Sequence, residues 1–490
     1  MDIQIKKEGY WSEHPAVSLL VVAVIIFLIR IFLRDQVLLL DEAEQVIVAQ
    51  KLLPGYPAQP PLYTWLQYFF FELFGINLFS LALLKSLLIF GCLYFYYLIC
   101  RIHCENNVLA WCAVISWALI PPIGLDLIKD NTHSILVLFA ACLTWYWLIV
   151  AEHWSKLLWY CCFGGILGIG LLSKFNYLLF LSILFLSSLT IPEFRRQFLS
   201  PYIILSLVIM AIITSPFFSW LLINQNLGLS SLHKLNTATS FFLEGPLRLA
   251  TVTLLFVAPV LVVLILLFPR AKNRNSQHKK TNKLLFRYHA FSLPTLAVII
   301  LIADFHNFRG RWLVPILFLC PVFYLSQLKY GVKLKSRVIS LVSLCAITQF
   351  IFFAILIYNS YSKHTKQKQF PLNQIIELAK ANSAQVDYIV SDSYWLLGNL
   401  AIALPTKNIW MIRPSELLLP KGRSLILWKG TQLPFWVELF TNTYYVTELN
   451  LLLNVETKAA VGGQAFAYRP SVELTPTGFL YTTSEIRGLR

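Results

Sequence analysis

Apolar runs long enough to cross a bilayer as helices, about 17 to 25 residues each, recur from Pro15 to Tyr358, with short segments rich in lysine and arginine between them. In lipid every backbone polar group must find a partner within the protein, so runs of this kind fold as membrane-spanning helices. Spans are expected near Pro15 to Leu33, Phe79 to Cys100, Val108 to Leu125, Ser134 to Ala151, Tyr202 to Ile223, Leu247 to Phe268, His289 to Ala303, Trp312 to Leu328 and Val338 to Tyr358. The tract from Leu157 to Leu189 is too long for one span. Four glycines, Gly164, Gly165, Gly168 and Gly170, precede a polar break at Ser173, Lys174 and Asn176, which predicts two short helices turning there. The reading is a polytopic α-helical membrane protein with about eleven helices.

Composition agrees. Of the 490 residues, 57% are hydrophobic and 13% charged, with a mean hydropathy of +0.66; soluble domains carry about a quarter charged residues. The net charge of +16 sits mainly in the inter-span segments, where it acts as a topology signal, so nucleic acid is not an expected partner. With a cytoplasmic N-terminus, the inside loops hold Arg101, Lys156, Arg195, Arg196 and the basic stretches 269–287 and 329–337. The outside loops then hold Asp35, Asp41, Glu42, Glu44, Glu72, Asp126, Asp130, Glu244 and Asp304. The first span shows no small-residue cleavage site and reads as uncleaved. The expected location is the inner (plasma) membrane of the cell envelope. The basic run from Arg270 to Arg287 reads as a solvated topology anchor rather than a lipid headgroup site. All nine cysteines lie in or beside apolar runs, a pattern of packed thiols and not of a disulfide framework.

Residues 1–358 thus read as a transmembrane domain with an external loop at 34–78, and 359–490 as an extracytoplasmic domain. In that tail strands are expected at VDYIVSD, NIWMI, SLILWKG and GGQAFAYRP, and helices at NQIIELAKAN, YWLLGNLAIAL and FWVELF. Alternating strands and helices imply a small α/β layer. No glycine-rich phosphate loop follows the first strand.

The loop from Leu38 to Gly75 holds more chemistry than a linker needs. Asp41 and Glu42 open a short interfacial helix whose apolar residues are Val46, Ile47, Val48, Leu52 and Leu53. Helical spacing puts Asp41 and Gln45 on one side, with Glu42 turned about 100° away. The bland alternative is a solvated helix cap. Pro57, Pro60 and Pro61 fix a stiff turn into a second interfacial helix, carrying an aromatic belt from Tyr63 to Phe71. The next outside loop contributes Lys129, Asp130, Asn131 and His133, with Asp130 readable either as a site residue or as the cap of a helix beginning near Thr132. Lys174, at the hairpin turn, is a site cation or a snorkelling side chain. His306, Arg309 and Arg311 gather in one late outside loop, against the positive-inside trend, and guanidinium groups suit phosphate.

Together, DEAEQ, GYPAQPPLYTWL, KDNT, GLLSKFNY and FRGRWLVP, in this order, resemble the polytopic GT-C glycosyltransferases. The resemblance is to the dolichyl-phosphate-mannose protein mannosyltransferase-like superfamily, which takes in the bacterial aminoarabinose transferase acting on lipid A. It covers roughly residues 10 to 360, and the Asp-Glu pair with the PPL turn is its most specific element. It implies a hexosyl- or pentosyltransferase moving a sugar, with inversion, from a polyprenyl-phosphate carrier to a lipid, glycan or protein acceptor. Asp41 would be the general base, Glu42 its neighbour and Asp130 a second acidic site residue. Lys174, Arg309 and Arg311 would stabilise the leaving phosphate. Gln59, Tyr63, Lys129 and His306 join them as candidate substrate- or phosphate-binding residues, although Gln59 stands where related loops often carry a basic residue or histidine. No clustered His/Asp/Glu ligand set marks a metal site, and a divalent metal cofactor is left open. The rival functions are a transporter or lipid flippase and a polymerase or ligase of lipid-linked oligosaccharides.

Overall fold

The structure is a computed structural model that describes residues 14–231, 244–269, 279–328, 335–362, 372–382, 384, 386–412, 424–428, 435–437 and 463–466. The chain divides into two compact units. The first takes residues 1–33, 52–66 and 82–356, and the second takes 34–51, 67–81 and 357–490. The external loop is therefore shared, its outer parts grouping with the C-terminal region and its centre with the helical bundle.

The first unit is a helical membrane bundle. Among the described residues, seven helices are long and apolar enough to cross a membrane. They are α1 (Pro15–Leu28, continued to Leu33 by a wider turn), α4 (Leu78–His103), α6 (Thr132–Ile149), α10 (Ile203–Ile223), α11 (Glu244–Leu267), α12 (Lys280–Ile302) and α15 (Lys335–Tyr361). Helix α5 (Asn107–Ile115) opens a broken pair, Asn107–Leu119 and Pro122–Lys129, bent by 77°. Its break falls at Pro121 and Pro122, where ring and missing amide end the helical ladder. Three shorter apolar segments complete the expected set: α7 (Lys156–Leu171), α8 (Tyr177–Leu189), and the stretch holding α13 (Val314–Leu317) and α14 (Cys320–Leu325).

Two expected spans are corrected. The one expected at His289 to Ala303 begins nine residues earlier, at Lys280, because its first two turns carry Lys280, Lys283 and Arg287 on a helix whose other face is buried. The span expected at Trp312 to Leu328 is short and interrupted. Gly310–Trp312 forms a tight single turn, and α13 and α14 follow with a break at Phe318 and Leu319, ahead of Pro321.

The predicted hairpin at Ser173 forms, and its glycines have a packing use. A side chain at Gly164 would meet the Ser206 carbonyl oxygen at 2.5 Å, and one at Gly168 would crowd Ile213. Helices α7 and α10 thus approach backbone to backbone, with Ser206 Oγ donating to Tyr160 O at 2.6 Å. Small residues and interhelical hydrogen bonds are what hold helices together in lipid, where burial of apolar surface gives little advantage. All nine cysteines are free thiols.

In the second unit, β1 (Tyr388–Ser391), β2 (Asn408–Met411), β3 (Ser424–Leu427) and β4 (Gly463–Phe466) form a sheet of order β2-β1-β3-β4. β1 is parallel to β2 and β3, and β3 is antiparallel to β4. The period-two alternation of the strands is visible in β1. Ile389 faces a core with α16 (Leu372–Asn382) and α17 (Tyr394–Ala403), and Val390 faces a second cluster with Ile426 and Trp428. Of the helix expected at FWVELF, residues 435–437 are helical and 438–440 lie outside the described residues.

Helix α2 (Leu40–Val48) packs on α17 within this unit. Ala43, Val46 and Ala49 are fully buried, and Val37 and Ile47 lie against the core of the α/β layer. The helix ends at Val48, so Leu52 and Leu53, expected on its apolar face, lie beyond it and are exposed. Contact is closest at Gly398, where a Cβ would meet the Ala43 carbonyl oxygen at 2.5 Å. Replacing Gly398 with valine is expected to lift α2 from α17 and destabilise the unit by roughly 1 to 3 kcal/mol. Faster proteolysis near residues 40–50 and a lower melting temperature are the readouts.

Candidate functional site

The second unit holds the first two candidates. Asp41 and Glu42 lie in the first turn of α2, where carboxylates complement the helix dipole. Their environments differ. Glu42 is buried, and its Oε2 accepts the Leu39 backbone N–H at 3.1 Å, which closes the start of the helix. Asp41 is only half-buried. The solvated-cap alternative is therefore corrected at Glu42, whose carboxylate closes the helix start but is enclosed. The whole turn is fixed from behind: Leu38 N–H donates to Asn399 Oδ1 at 2.8 Å, and Trp395 Nε1 donates to Leu38 O at 2.7 Å.

In the first unit, the centre of the loop is held by its own hydrogen bonds. Leu53 N–H donates to Tyr56 Oη at 3.0 Å and Trp65 Nε1 to Leu53 O at 2.7 Å. Ala58 takes a positive φ of 67°, its N–H donating to Leu227 O at 3.0 Å, and the half-buried Gln59 closes the tight turn on Pro57 O. Gly55 seats against Trp220, with no room for a side chain. Helix α3 (Leu62–Phe74) starts one residue after Pro61, whose carbonyl accepts from Trp65 N–H.

Four sequence-distant segments then meet at one end of the bundle. Leu62 N–H donates to Leu172 O at 3.0 Å, tying the PPLY arm to the α7–α8 hairpin. The buried Tyr63 ring lies 5.4 Å from that of His133. Lys174, 8% exposed, donates through Nζ to Ser134 Oγ at 2.7 Å, and its charge acts on His133. The snorkelling alternative for Lys174 is thereby removed: its ammonium points inward to α6. Asn176 Nδ2 donates to Trp312 O at 3.1 Å, which brings in the RGRW segment. Beside it, Lys129 and Arg311 both exert their charge on the half-buried Asp126.

Asp130 is half-buried at the entry to α6 and does not cap it. Asn131 occupies the N-cap in the left-handed conformation, φ 60°, a region asparagine tolerates, and its Nδ2 donates to Asp126 O at 3.3 Å. The late loop splits its basic trio. His306 is buried, with Nε2 3.1 Å from Asp304 Oδ1 in the same turn, whereas Arg309 is exposed and Arg311 half-buried. Among the described residues, no group of three or more His, Cys, Asp or Glu side chains is placed to hold a metal ion.

Several cations went unnoticed in the sequence. Arg30 at the end of α1, Lys85 early in α4 and Arg34 in the second unit are each 6% exposed. Lys85 carried a readable signal: a lone charge inside an apolar run, LALLKSLLIF, marks a functional position by its desolvation penalty. Arg248, whose Nε donates to Phe308 O at 3.4 Å, braces the late loop.

Comparison with known proteins agrees with this geometry. Residues 58–220 match the family described as dolichyl-phosphate-mannose-protein mannosyltransferase. The crystal structure of ArnT from Cupriavidus metallidurans bound to undecaprenyl phosphate superposes with a TM-score of 0.61 at 12% identity, covering 93% of this chain and 98% of that one. The chain is a membrane glycosyltransferase of the GT-C fold. Among named relatives, this GT-C transferase is similar to two from Rhizobium johnstonii (strain DSM 114642 / LMG 32736 / 3841). Lipopolysaccharide core galacturonosyltransferase RgtB is 26% identical over 75% of this chain and 76% of its own length. Lipopolysaccharide core galacturonosyltransferase RgtA is 28% identical over 62% of this chain and 63% of its own.

The engaged geometry of Glu42 separates a structural role from a chemical one. Glu42→Gln keeps an acceptor for Leu39 N–H and is expected to hold the wild-type melting temperature, while Glu42→Ala loses about 1 kcal/mol. Thermal unfolding of the two purified variants checks this.

Proposed function

We propose that this transferase takes a sugar from a polyprenyl-phosphate carrier and attaches it, with inversion, to an acceptor hydroxyl on the extracytoplasmic side of the inner membrane. The observation that carries the reading is the meeting of Tyr63, His133, Lys174 and the RGRW segment at one end of an apolar bundle. An anionic ligand is the natural counterpart of a site where Lys174 and the arginines of the RGRW segment are gathered, since guanidinium and ammonium groups suit phosphate oxygens.

In the proposed reaction the acceptor oxygen attacks the anomeric carbon from the face opposite the phosphate. The bond from that carbon to the phosphate oxygen breaks, and the electron pair leaves with the phosphate. Lys174, Arg309 and Arg311 stabilise the charge that grows on the phosphate oxygens, with Lys129 in support. Asp41 takes the acceptor proton. The choice of Asp41 over Glu42 is supported by the hydrogen bond that occupies Glu42 and by the half-open position of Asp41. Asp130 orients the sugar hydroxyls or the acceptor, and Tyr63 and Gln59 line the approach; His306 shapes the late loop through Asp304.

The similarity to lipopolysaccharide core galacturonosyltransferases supports an acidic sugar and a lipopolysaccharide core acceptor, which we adopt as the substrate class. The basic inter-span segments support a cytoplasmic N-terminus and an extracytoplasmic C-terminal region.

Asp41→Asn is expected to lower transfer by 10² to 10⁴-fold, roughly the contribution of a positioned base, with normal membrane insertion. Full activity of that variant with a polyprenyl-phosphate sugar donor would remove Asp41 from the mechanism. Replacing Arg309 and Arg311 together with alanine should weaken undecaprenyl-phosphate binding about tenfold or more, the scale of a lost charge-assisted hydrogen bond, and leave acceptor affinity nearly unchanged.

A further inference from the structure

The opposite end of the bundle carries a second recess, built from segments that the transfer reaction does not use. Connectivity fixes its place. Helix α8 starts beside Lys174 and Asn176 and runs to Leu189, so Thr190 to Glu193 lie at its far end. Helix α12 ends beside the late loop and begins at Lys280, which puts Lys283 and Arg287 at the far end too. The end of α14, with Phe323 and Ser326, closes the third side. The recess has a volume of about 650 Å³, within the usual range of small-ligand sites.

Its lining has a definite chemistry. Lys283 and Arg287 are four residues apart and therefore share one face of α12. Neither makes an ion pair with another described residue, in contrast to Lys280, one turn earlier, which bonds to Glu152. The neutral polar groups around them are already engaged within the chain. Asn282 Oδ1 meets His103 Nδ1 at 2.8 Å, Thr190 Oγ1 donates to Ser187 O, and Ser326 Oγ and Gln327 Nε2 both donate to Phe323 O. What is left facing the recess is a pair of cations, the carboxylate of Glu193, and apolar surface from Ile191, Phe323 and the exposed Phe286. Arg195 and Arg196, exposed on the short helix α9 (Pro192–Phe198), add positive charge at the same end.

We infer that this recess binds the headgroup of a glycerophospholipid, its phosphodiester held between Lys283 and Arg287. The guanidinium and ammonium groups meet the phosphate oxygens. Glu193 accepts a hydrogen bond from the head alcohol, and Phe286 and Phe323 flank the first acyl carbons. A basic pocket between helices at the bilayer boundary is suited to phospholipid by both charge and depth. This site is separate from the transfer site and does not depend on the proposed reaction. It also revises the bland reading of the basic stretch that ends at Arg287: at least its last two charges face a cavity.

The test is native mass spectrometry of the detergent-purified full chain titrated with phosphatidylglycerol. One lipid is expected to bind the wild type tightly, and Lys283→Ala with Arg287→Ala should weaken that event roughly 30-fold, at about tenfold or less per charge. Lys280→Ala, on the same helix but paired with Glu152, should leave it within about threefold, and Lys283→Arg should retain it. Equal binding by the double variant overturns the inference. Displacement of the lipid by soluble glycerol phosphate or inorganic phosphate at matched concentration would mark a site for free phosphate, and would overturn the lipid reading as well.

Discussion

The peptide group of Leu38 is fully buried, and both of its polar atoms are satisfied by side chains more than 350 positions away, Asn399 and Trp395. A buried backbone donor or acceptor left without a partner loses about 1 to 3 kcal/mol, so these two bonds fix where helix α2 can begin. Asn399 is itself aimed by its bond to Trp395 O. The position of Asp41 follows, three residues on. The first-turn closure by Glu42 and the burial of Ala43 and Val46 against the α/β layer leave Asp41 one orientation relative to its own unit.

The bundle obeys a different constraint. Within lipid there is little to gain from burying apolar side chains, and proximity has to come from shape and polar contact. Gly164, Gly168 and Ser206 provide it where α7 crosses α10, and the Leu62, Lys174 and Asn176 hydrogen bonds provide it at the end of the bundle. Burying Lys174 is unfavourable taken alone, and its bond to Ser134 is one of the contacts that offset this. The same segments that look weak one by one in the sequence are therefore joined by specific bonds in the structure.

Much of this was legible beforehand. Apolar length alone located most of the spans, because a helix must satisfy its own backbone in lipid. The proline turn at Pro57 to Pro61 and the polar break at Ser173 marked two real turns, and the order of strands and helices in the tail held wherever it is described. The remaining features escaped for different reasons. The grouping of residues 34–51 with the C-terminal region rests on contacts across the whole length of the chain, which local pattern does not encode. The closure of the helix start by Glu42 was not legible because its partner is a backbone N–H of leucine, and not the serine or threonine of a recognisable capping pair. His306, close in sequence to Arg309 and Arg311, is buried 3.1 Å from Asp304, whose left-handed φ is a local feature that residue type alone does not announce.

The discontinuous make-up of the second unit has a bearing on how such proteins recombine. A cut after residue 358 looks like a natural junction in the sequence, yet it parts Asn399, Trp395 and Gly398 from the Leu38 and Ala43 they are fitted to. The compact unit is therefore written in three pieces, 34–51, 67–81 and 357–490. Drift in the early loop and drift in the tail are then coupled, and a chimera that exchanges only the tail inherits a mismatch beneath the Asp41 turn.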